Sequence, residues 1–302
     1  MATASDKVRR ARPLLGTFVE IEAAGAARSE LDAAIDAAFD AVARVHRLMS
    51  FHERESDVNR LNREASVRPI EVHAWTFQVL QAAVEMHRRS KGIFDITIAP
   101  ALQNLGLLPR HGGDPAIARQ ARSFDAIELL PDQTIRFRDP DVRIDLGGIA
   151  KGFAVDRALD VLRGFNIKNG MVNAGGDLAA FGQDPHAIHI RHPRDPGRLM
   201  CRVEITDEAL ASTARRFDLF QSAETSGSAI IDPLTGKPTE AIDGATVRAR
   251  SCMVADALTK IVMISGTEAT ELLEHYNASA LLVSTDGDVR ITPDWHSVHL
   301  AA

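Results

Sequence analysis

Apolar residues that recur at intervals of three and four positions predict amphipathic helices along this chain. The first helix is predicted to begin near Ser29, which follows Gly25 and can cap it. Its apolar face consists of Leu31, Ile35, Ala38, Val42, Val45 and Met49. The same spacing predicts helices over residues 73–89, 150–163, 255–264 and 267–275, and a short helix through Leu61 that Ser56 caps.

Alternating polar and apolar side chains predict strands, beginning with residues 17–22. Pro131-Asp132-Gln133-Thr134 separates the runs 127–130 and 135–138, which is typical of a hairpin. A strand is also predicted over residues 142–145, before Gly147-Gly148. Shorter strands are predicted over residues 171–172, 178–181, 186–191, 200–205, 245–250 and 280–283. Because the strands come in runs with inserted helices, the pattern favours an α+β fold in one compact domain.

Charge and composition narrow the function classes. The 302 residues include 41 acidic and 35 basic side chains, and the net charge of −6 argues against nucleic acid as the main partner. Cys201 and Cys252 have no histidine at a metal-ligand spacing, which argues against a disulfide framework or a zinc site.

The beginning of the chain is predicted to be a basic N-terminal tail, residues 1–12. The Arg9-Arg10 pair is not followed by the apolar stretch of an export signal. The chain also contains no run of about 18 apolar residues that would span a membrane. As written, it is therefore expected to be cytoplasmic, with no membrane span.

The most informative segment is residues 143–156, Arg-Ile-Asp-Leu-Gly-Gly-Ile-Ala-Lys-Gly-Phe-Ala-Val-Asp. A predicted strand ends at Asp145, two glycines follow, and a helix begins with Lys151 in its first turn. N–H groups at a helix start attract anions, and glycines let a phosphate approach the backbone. The segment matches neither the Walker loop nor the dinucleotide fingerprint. On these residues alone, a phosphate or nucleotide site and a plain strand-to-helix turn are equally open.

Three further segments combine turn residues with carboxylates. Asn173-Ala174-Gly175-Gly176-Asp177 is a glycine turn that ends in a carboxylate, which a plain hairpin also explains. Residues 230–238, Ile-Ile-Asp-Pro-Leu-Thr-Gly-Lys-Pro, mark a turn after a buried edge. Asp256 lies in the first turn of a predicted apolar helix, where it is either functional or a favourable charge at the helix dipole.

In their order along the chain, these segments resemble the ApbE-type FAD:protein FMN transferases. The segments that carry the resemblance are Leu15-Gly16-Thr17, residues 50–62, 92–100, 145–156, 173–177 and 230–238, and Asp256-Ala257-Leu258. The most specific are Asp-Leu-Gly-Gly-Ile-Ala-Lys-Gly and Ile-Ile-Asp-Pro-x-Thr-Gly. The resemblance implies that residues 13–302 form one ApbE-like domain, a mostly antiparallel sheet with flanking helices.

The resemblance also implies a reaction, its cofactors and its site. The reaction is magnesium-dependent transfer of FMN from FAD to a threonine or serine hydroxyl of an acceptor protein, with release of AMP. The implied FAD contacts are Leu15, His52, Ile93, Phe94, Asp95, Asp145, Lys151 and Ile230. The implied Mg²⁺ ligands are Asp256, the carbonyl of Gly148, and residue 260, which is Lys260 here. Oxygen ligands suit a hard cation that is shared with phosphates.

The sequence departs from the family pattern at three places. Ala229 stands where the family usually has a histidine, a candidate general base, so no catalytic residue is assigned. Ser212-Thr213-Ala214 replaces the usual Thr-Ser-Gly. Lys260 stands where a small residue or threonine normally completes the metal shell, and an ammonium is not a ligand. Its head group either points away, leaving its carbonyl, or takes the cation's place.

These departures keep two alternative functions open. One is an FAD-binding protein without transferase activity. The other is an FAD pyrophosphatase that yields FMN and AMP, because water can replace the acceptor hydroxyl at the same site.

Overall fold

Seven α-helices and sixteen strands form in the part of the chain that the computed structural model describes, residues 7–110, 124–215, 230–295 and 299–300. The helices are α1 (Arg28–Met49), α2 (Asp57–Glu64), α3 (Ala74–Arg89), α4 (Ala99–Asn104), α5 (Ala150–Gly164), α6 (Cys252–Ser265) and α7 (Thr270–His275). The strands are β1 (Lys7–Leu14), β2 (Thr17–Ala24), β3 (Ile70–Glu71), β4 (Ile127–Leu130), β5 (Thr134–Phe137), β6 (Asn169–Ala174), β7 (Asp177–Phe181), β8 (His186–His192), β9 (Asp195–Ile205), β10 (Glu208–Ala214), β11 (Ile231–Asp232), β12 (Lys237–Pro238), β13 (Ile242–Ala249), β14 (Ser279–Ser284), β15 (Val289–Ile291) and β16 (His299–Leu300).

The central element is an eight-stranded sheet with the order β1-β2-β6-β7-β10-β13-β14-β15. All of its neighbouring strands pair antiparallel. Helices are inserted between runs of strands instead of alternating with single strands. The expected α+β fold with a mostly antiparallel sheet and flanking helices is therefore confirmed.

Both faces of the central sheet are buried at its inner strands, such as β7 and β13. On β7, Ala179 and Phe181 face the core under the helices, whereas Leu178 and Ala180 face a second core on the opposite side. Strand side chains alternate between faces, so a strand that is buried on both sides is apolar at successive positions. Helices α1, α5 and α6 cover the first face, with α5 between the other two.

Two smaller sheets complete the architecture. Strands β8, β9 and β16 form a three-stranded sheet. Its Ile190, Val203 and Ile205 pack in the second core with Leu178 and Leu210 of the central sheet. Strands β3, β5 and β4 form the other three-stranded sheet. The predicted hairpin between β4 and β5 is confirmed.

Residues 7–14 form strand β1, where the sequence predicted a basic tail over residues 1–12. The basic side chains of β1 are paired with carboxylates on β2 and α1: Lys7 with Glu22, Arg9 with Glu20, Arg10 with Asp32 and Asp36, and Arg12 with Asp36. Only Val8 of this strand is buried. Edge strands tolerate such polar sequences, which is why the apolar pattern did not reveal β1.

The strand predicted over residues 142–145 is wrong. This segment lies beside the side chain of Asn62, which binds both backbone groups of Ile144, at 2.7 Å from its N–H and 2.9 Å from its carbonyl. The next N–H, of Asp145, donates to the carbonyl of Ile96 at 2.8 Å. A side chain thus takes the place of a neighbouring strand, so the apolar run is buried without joining a sheet.

Within the described ranges, none of the helices has the length and apolar character needed to cross a membrane.

Candidate active site

Three segments meet at one end of the central sheet. The turn Leu15-Gly16 joins β1 to β2, the turn Gly175-Gly176 joins β6 to β7, and β10 ends beside them. The N–H of Ser212 donates to the carbonyl of Gly176 at 3.1 Å. A Cβ at residue 175 would lie 2.6 Å from the Thr17 hydroxyl, so only glycine lets the two turns approach this closely.

Leu15 has an unusual backbone conformation. Its φ is 56° and that of Gly16 is 70°, which is the two-residue pattern of a type I′ hairpin turn. A leucine in this region is uncommon, and the conformation costs roughly 1–2 kcal/mol. The structure therefore holds Leu15 in a strained position at the end of the sheet where the candidate site lies.

The glycine segment after Asp145 forms a tight turn into α5. The N–H of Gly147 donates to Asp145 Oδ2 at 3.0 Å. Burial raises the pKa of Asp145, against the opposing effects of the Gly147 N–H and of His52. His52 itself is exposed.

Helices α5 and α6 cross closely at Gly152. A Cβ on this residue would overlap the carbonyl of Cys252. Asp156, one turn further along α5, accepts hydrogen bonds from Ser251 Oγ at 2.8 Å and from the N–H groups of Cys252 and Met253 at 2.8 and 3.0 Å. Asp156 and the N-cap residue Ser251 thus cap α6.

This capping rules out the helix-dipole explanation of Asp256. Helix α6 begins at Cys252, before the predicted start at residue 255, so Asp256 lies in its second turn. Its side chain is fully buried, with 0% exposure. One carboxylate oxygen, Oδ2, accepts the N–H of Gly152 at 3.0 Å. The start of α5 therefore does bind an anion, and that anion is the carboxylate of Asp256.

Two ammonium groups lie against the buried carboxylates. Lys260, one turn after Asp256, donates from Nζ to Asp256 Oδ1. Lys151 donates to Asp177 Oδ2, and its Nζ lies 3.7 Å from Asp256 Oδ1. Asp177 is 1% exposed, and among the described residues its Oδ1 has no hydrogen-bond partner. We call Lys151, Asp177, Asp256 and Lys260 the charge cluster.

Two threonines hold the head group of Lys260. Its Nζ lies 3.2 Å from Thr213 Oγ1 and 3.1 Å from Thr259 Oγ1. The two hydroxyls are 2.9 Å apart, and Thr259 also donates to the carbonyl of Asp256 at 2.7 Å. With Asp256, Lys260 thus has three oxygen acceptors for its three hydrogens.

The protonation of the charge cluster follows from its burial and mutual contacts. Burial raises the pKa of Asp177, and Asp256 raises it further, against the effects of Lys151 and Lys260. Burial also acts to raise the pKa of Asp256, but the two lysines outweigh it and hold this pKa below its ordinary value. Burial acts to lower the pKa of Lys151, yet Asp177 and Asp256 raise it above its ordinary value. At neutral pH, Asp256 is therefore ionised and Lys151 is protonated.

Gly148 and Phe94 lie beside the charge cluster. A Cβ at residue 148 would be 3.6 Å from Cγ of Lys260 and 3.8 Å from the ring of Phe94. Ile93, next in the chain to Phe94, is half-buried against the core. The structure thus brings together Phe94, Gly148, Lys151, Asp256 and Lys260 among the residues selected from the sequence.

Asp95, the neighbour of Phe94 in the chain, lines a cavity of about 240 Å³ with His87, Gly92 and Phe124. Its Oδ1 accepts the N–H and the hydroxyl of Thr97, both at 2.7 Å, and burial raises the pKa of its carboxyl group. The lining also includes Pro233 and Leu234 of the hairpin between β11 and β12.

Asp232 organises that hairpin. It accepts the N–H of Leu234 at 2.8 Å and the hydroxyl of Thr235 at 2.9 Å. Ile230, just before the hairpin, is half-buried against the core, and its carbonyl accepts the N–H of Thr239 at 2.9 Å. Ala229, the position where the resemblance implies a histidine, lies outside the described residues.

Sequence reasoning assigned no role in the site to Asp177, Thr213, Thr259 or the N–H of Gly152. Asp177 had a detectable signal, because it directly follows a double-glycine turn as Asp145 precedes one. Thr213 was noted only within Ser212-Thr213-Ala214, and the roles of both threonines depend on the direction of the Lys260 side chain.

The charge cluster does not fit the magnesium ion that the resemblance implies. Each carboxyl group of the cluster is already paired with a lysine, Asp177 with Lys151 and Asp256 with Lys260, and both oxygens of Asp256 have donors. A divalent ion there would meet two ammonium groups as well as two carboxylates, so an attraction of about 4 kcal/mol per unit pair at 4 Å and an effective dielectric constant of 20 would be offset by repulsion of similar size. Elsewhere in the described ranges, no group of three or more His, Cys, Asp or Glu side chains is placed to hold a metal ion. The expected set of Gly148, Asp256 and Lys260 therefore contains one carboxylate and an ammonium that excludes the ion.

The known proteins described next, to which this chain is similar, are FAD:protein FMN transferases or ApbE proteins. A FAD:protein FMN transferase of Vibrio cholerae is 28% identical over 300 residues, which cover 94% of this chain and 89% of that protein. The solved structure of flavin transferase ApbE from Vibrio cholerae has a TM-score of 0.79 and 27% identity, covering 95% of this chain and 97% of the other.

The crystal structure of the ApbE protein from Thermotoga maritima has a TM-score of 0.83, with the same coverage of 95% and 97%. At 23% identity, this likeness concerns the fold alone. The sequence profile described as the ApbE family matches residues 15–283. Because this match spans most of the 302 residues, the chain belongs to the ApbE family.

Proposed function

We propose that this protein transfers the FMN part of FAD to a threonine or serine hydroxyl of an acceptor protein and releases AMP. The observation that carries the proposal is the charge cluster at the end of the sheet, where Lys151 lies between two buried carboxylates. The names of the relatives, which cover most of this chain, support the same reaction.

The proposed step exchanges one phosphorus–oxygen bond for another. The acceptor hydroxyl oxygen attacks the FMN-side phosphorus of FAD, the bond to the AMP phosphate breaks, and the hydroxyl proton leaves to a base. Such a reaction needs positioning and neutralisation of negative charge on the pyrophosphate oxygens. In this proposal, the ammonium of Lys151 neutralises that charge. Magnesium is not part of the proposal because the charge cluster does not fit it.

The remaining residues bind FAD around this centre. Phe94 and Gly148 lie beside the charge cluster, and Asp145 lies at the start of the turn that leads to Lys151. The FAD contacts proposed from the family pattern are Leu15, His52, Ile93, Phe94, Asp95, Asp145, Lys151 and Ile230.

The test incubates the purified protein with FAD and a candidate acceptor, and follows AMP by chromatography and the acceptor by mass spectrometry. Transfer gives AMP in equal amount to acceptor that has gained FMN, and an acceptor whose target hydroxyl is removed gives neither. Lys151→Met abolishes both products while the far-ultraviolet circular dichroism stays unchanged.

Two results contradict transfer. Release of free FMN and AMP with an unmodified acceptor identifies a pyrophosphatase. Saturable FAD binding without any AMP, across acceptors that a relative modifies, identifies a binding protein without transferase activity.

A further inference from the structure

We propose that the ammonium group of Lys260 takes the place of a divalent cation, so that the protein binds the pyrophosphate of FAD through Lys151 and Lys260 without metal. The inference deepens the proposed function and rests on it, since it concerns how the same site holds FAD. It starts from the observation that the charge cluster does not fit a divalent metal ion.

The first step is the direction of the Lys260 side chain. Its spacing from Asp256 places the two residues on one face of α6, and the side chain is only 16% exposed. Nζ contacts Asp256, Thr213 and Thr259, so the head group points into the charge cluster. Since three side chains from two elements hold it, its position is fixed before any ligand binds.

The second step is the charge that a ligand meets. Asp256 and Asp177 are balanced by Lys151 and Lys260, and both carboxylates are almost completely buried. The side chain of Lys151 is one-third exposed and that of Lys260 is 16% exposed, whereas Asp177 and Asp256 are 1% and 0% exposed, so the lysines are the more accessible members of the cluster. An approaching anion therefore meets the ammonium groups before the carboxylates.

The third step is the chemistry of the ligand. A lysine ammonium is a compact point charge with three donors, which suits phosphate oxygens. A phosphate oxygen can replace one threonine hydroxyl as an acceptor of Lys260, while Asp256 keeps the head group in place. Two such ammonium groups side by side suit two linked phosphates, as in a dinucleotide pyrophosphate.

The experiment measures FAD affinity by quenching of flavin fluorescence, in EDTA and in excess Mg²⁺. We expect the wild-type dissociation constants in the two conditions to agree within about twofold, because the ammonium needs no metal. Lys260→Thr is expected to bind FAD about tenfold or more weakly than wild type in EDTA and to regain affinity with Mg²⁺. Lys168→Thr, the same substitution at an exposed lysine, serves as the matched control and should behave like wild type.

A second measurement uses Mn²⁺ alone, followed by its electron paramagnetic resonance signal, and needs no FAD. Wild type should show no saturable Mn²⁺ binding, and Lys260→Thr should gain one site. Saturable Mn²⁺ binding by wild type, or a loss of wild-type FAD affinity in EDTA that Mg²⁺ restores, overturns the inference and leaves the proposed function standing. Absence of FAD binding in both conditions overturns the inference and the proposed function together.

Discussion

The backbone N–H of Gly152 donates to Oδ2 of Asp256 at 3.0 Å, and this hydrogen bond joins helix α5 to helix α6. The contact is possible because residue 152 has no side chain, since a Cβ would overlap the carbonyl of Cys252. Gly152 therefore sets the distance between the helices that carry Lys151 and Lys260. Its lysine neighbour attracted attention in the sequence, but the glycine determines the geometry.

Gly152→Ala is expected to destabilise the protein by about 1–3 kcal/mol, because the added methyl group forces α5 and α6 apart. Gly164→Ala is the matched control. A Cβ there meets nothing within 4 Å, so this variant should be unchanged or up to about 1 kcal/mol more stable. Urea unfolding measures both free energies, and equal values for the two variants would contradict the role given to Gly152.

Asp256→Asn is expected to lower the free energy of unfolding by about 3–5 kcal/mol, because it leaves buried ammonium charge without its partner. Adding Lys260→Met should restore much of this loss, since one positive charge is then removed as well. Asp36→Asn is the control, because this carboxylate lies on the surface with Arg10 and Arg12 and should matter by at most about 1 kcal/mol. Additive effects of the Asp256 and Lys260 changes would show that the two side chains do not interact.

His186 provides a test of pH dependence away from the site. Burial lowers the pKa of its imidazole and Lys7 lowers it further, against Glu22 and Asp184, which raise it. The Nδ1 atom lies 3.7 Å from Glu22, and Nε2 has no partner among the described residues. A lowered pKa means that the folded state binds the proton more weakly than the unfolded state.

Stability should therefore fall as the pH drops below about 6.5, the ordinary histidine pKa, by at most about 1.4 kcal/mol per pH unit from this group. His186→Gln should remove that component, whereas His189→Gln, at an exposed position of the same strand, should retain it. Thermal unfolding between pH 5 and 8 measures the slopes. Identical slopes for wild type and His186→Gln would exclude the assignment.

Leu15→Gly should show whether Leu15 contributes to FAD binding, apart from the effect of its strained backbone on stability. Relief of the left-handed backbone is expected to offset part of the packing that the leucine loses, while FAD affinity falls because a proposed flavin contact is removed. Gln133→Gly relieves the same kind of backbone at the β4–β5 turn, where φ is 57°, and should leave FAD affinity unchanged. Fluorescence titration and urea unfolding give both quantities, and equal FAD affinity in the two variants would argue against a flavin contact at Leu15.

The helices were predictable because each has an apolar face with helical spacing. The predicted helix over residues 73–89 corresponds to α3, and Ser56 caps α2 by accepting the N–H of Asn59, as expected. Residues 142–145 failed because an apolar run shows burial but not the partner of its backbone, which is the side chain of Asn62. Strand β1 failed for the opposite reason, since its pairing is regular while its side chains are polar.

The sequence indicated which segments contribute to the candidate site, but it did not predict how their side chains are placed relative to one another. Turn residues and carboxylates indicated Asp145, Lys151 and Asp256 as candidates, but the spacing of Lys260 does not say where its head group points. That direction depends on Thr213, which lies on a strand that the sequence pattern did not predict. The distinction between a metal site and a balanced set of charges therefore required the tertiary structure.

The strand order of the central sheet also determines when the site can exist. β2 pairs with β6 across a connection that contains α1 to α5, and β13 joins the sheet only after β10. During folding, strands that are distant in sequence pair late, because closing the long loop between them costs chain entropy. During synthesis, Lys151 and Asp177 emerge well before Asp256 and Lys260, so a nascent chain holds an incomplete set of charges. Only a chain that extends beyond α6 can bring these four side chains together.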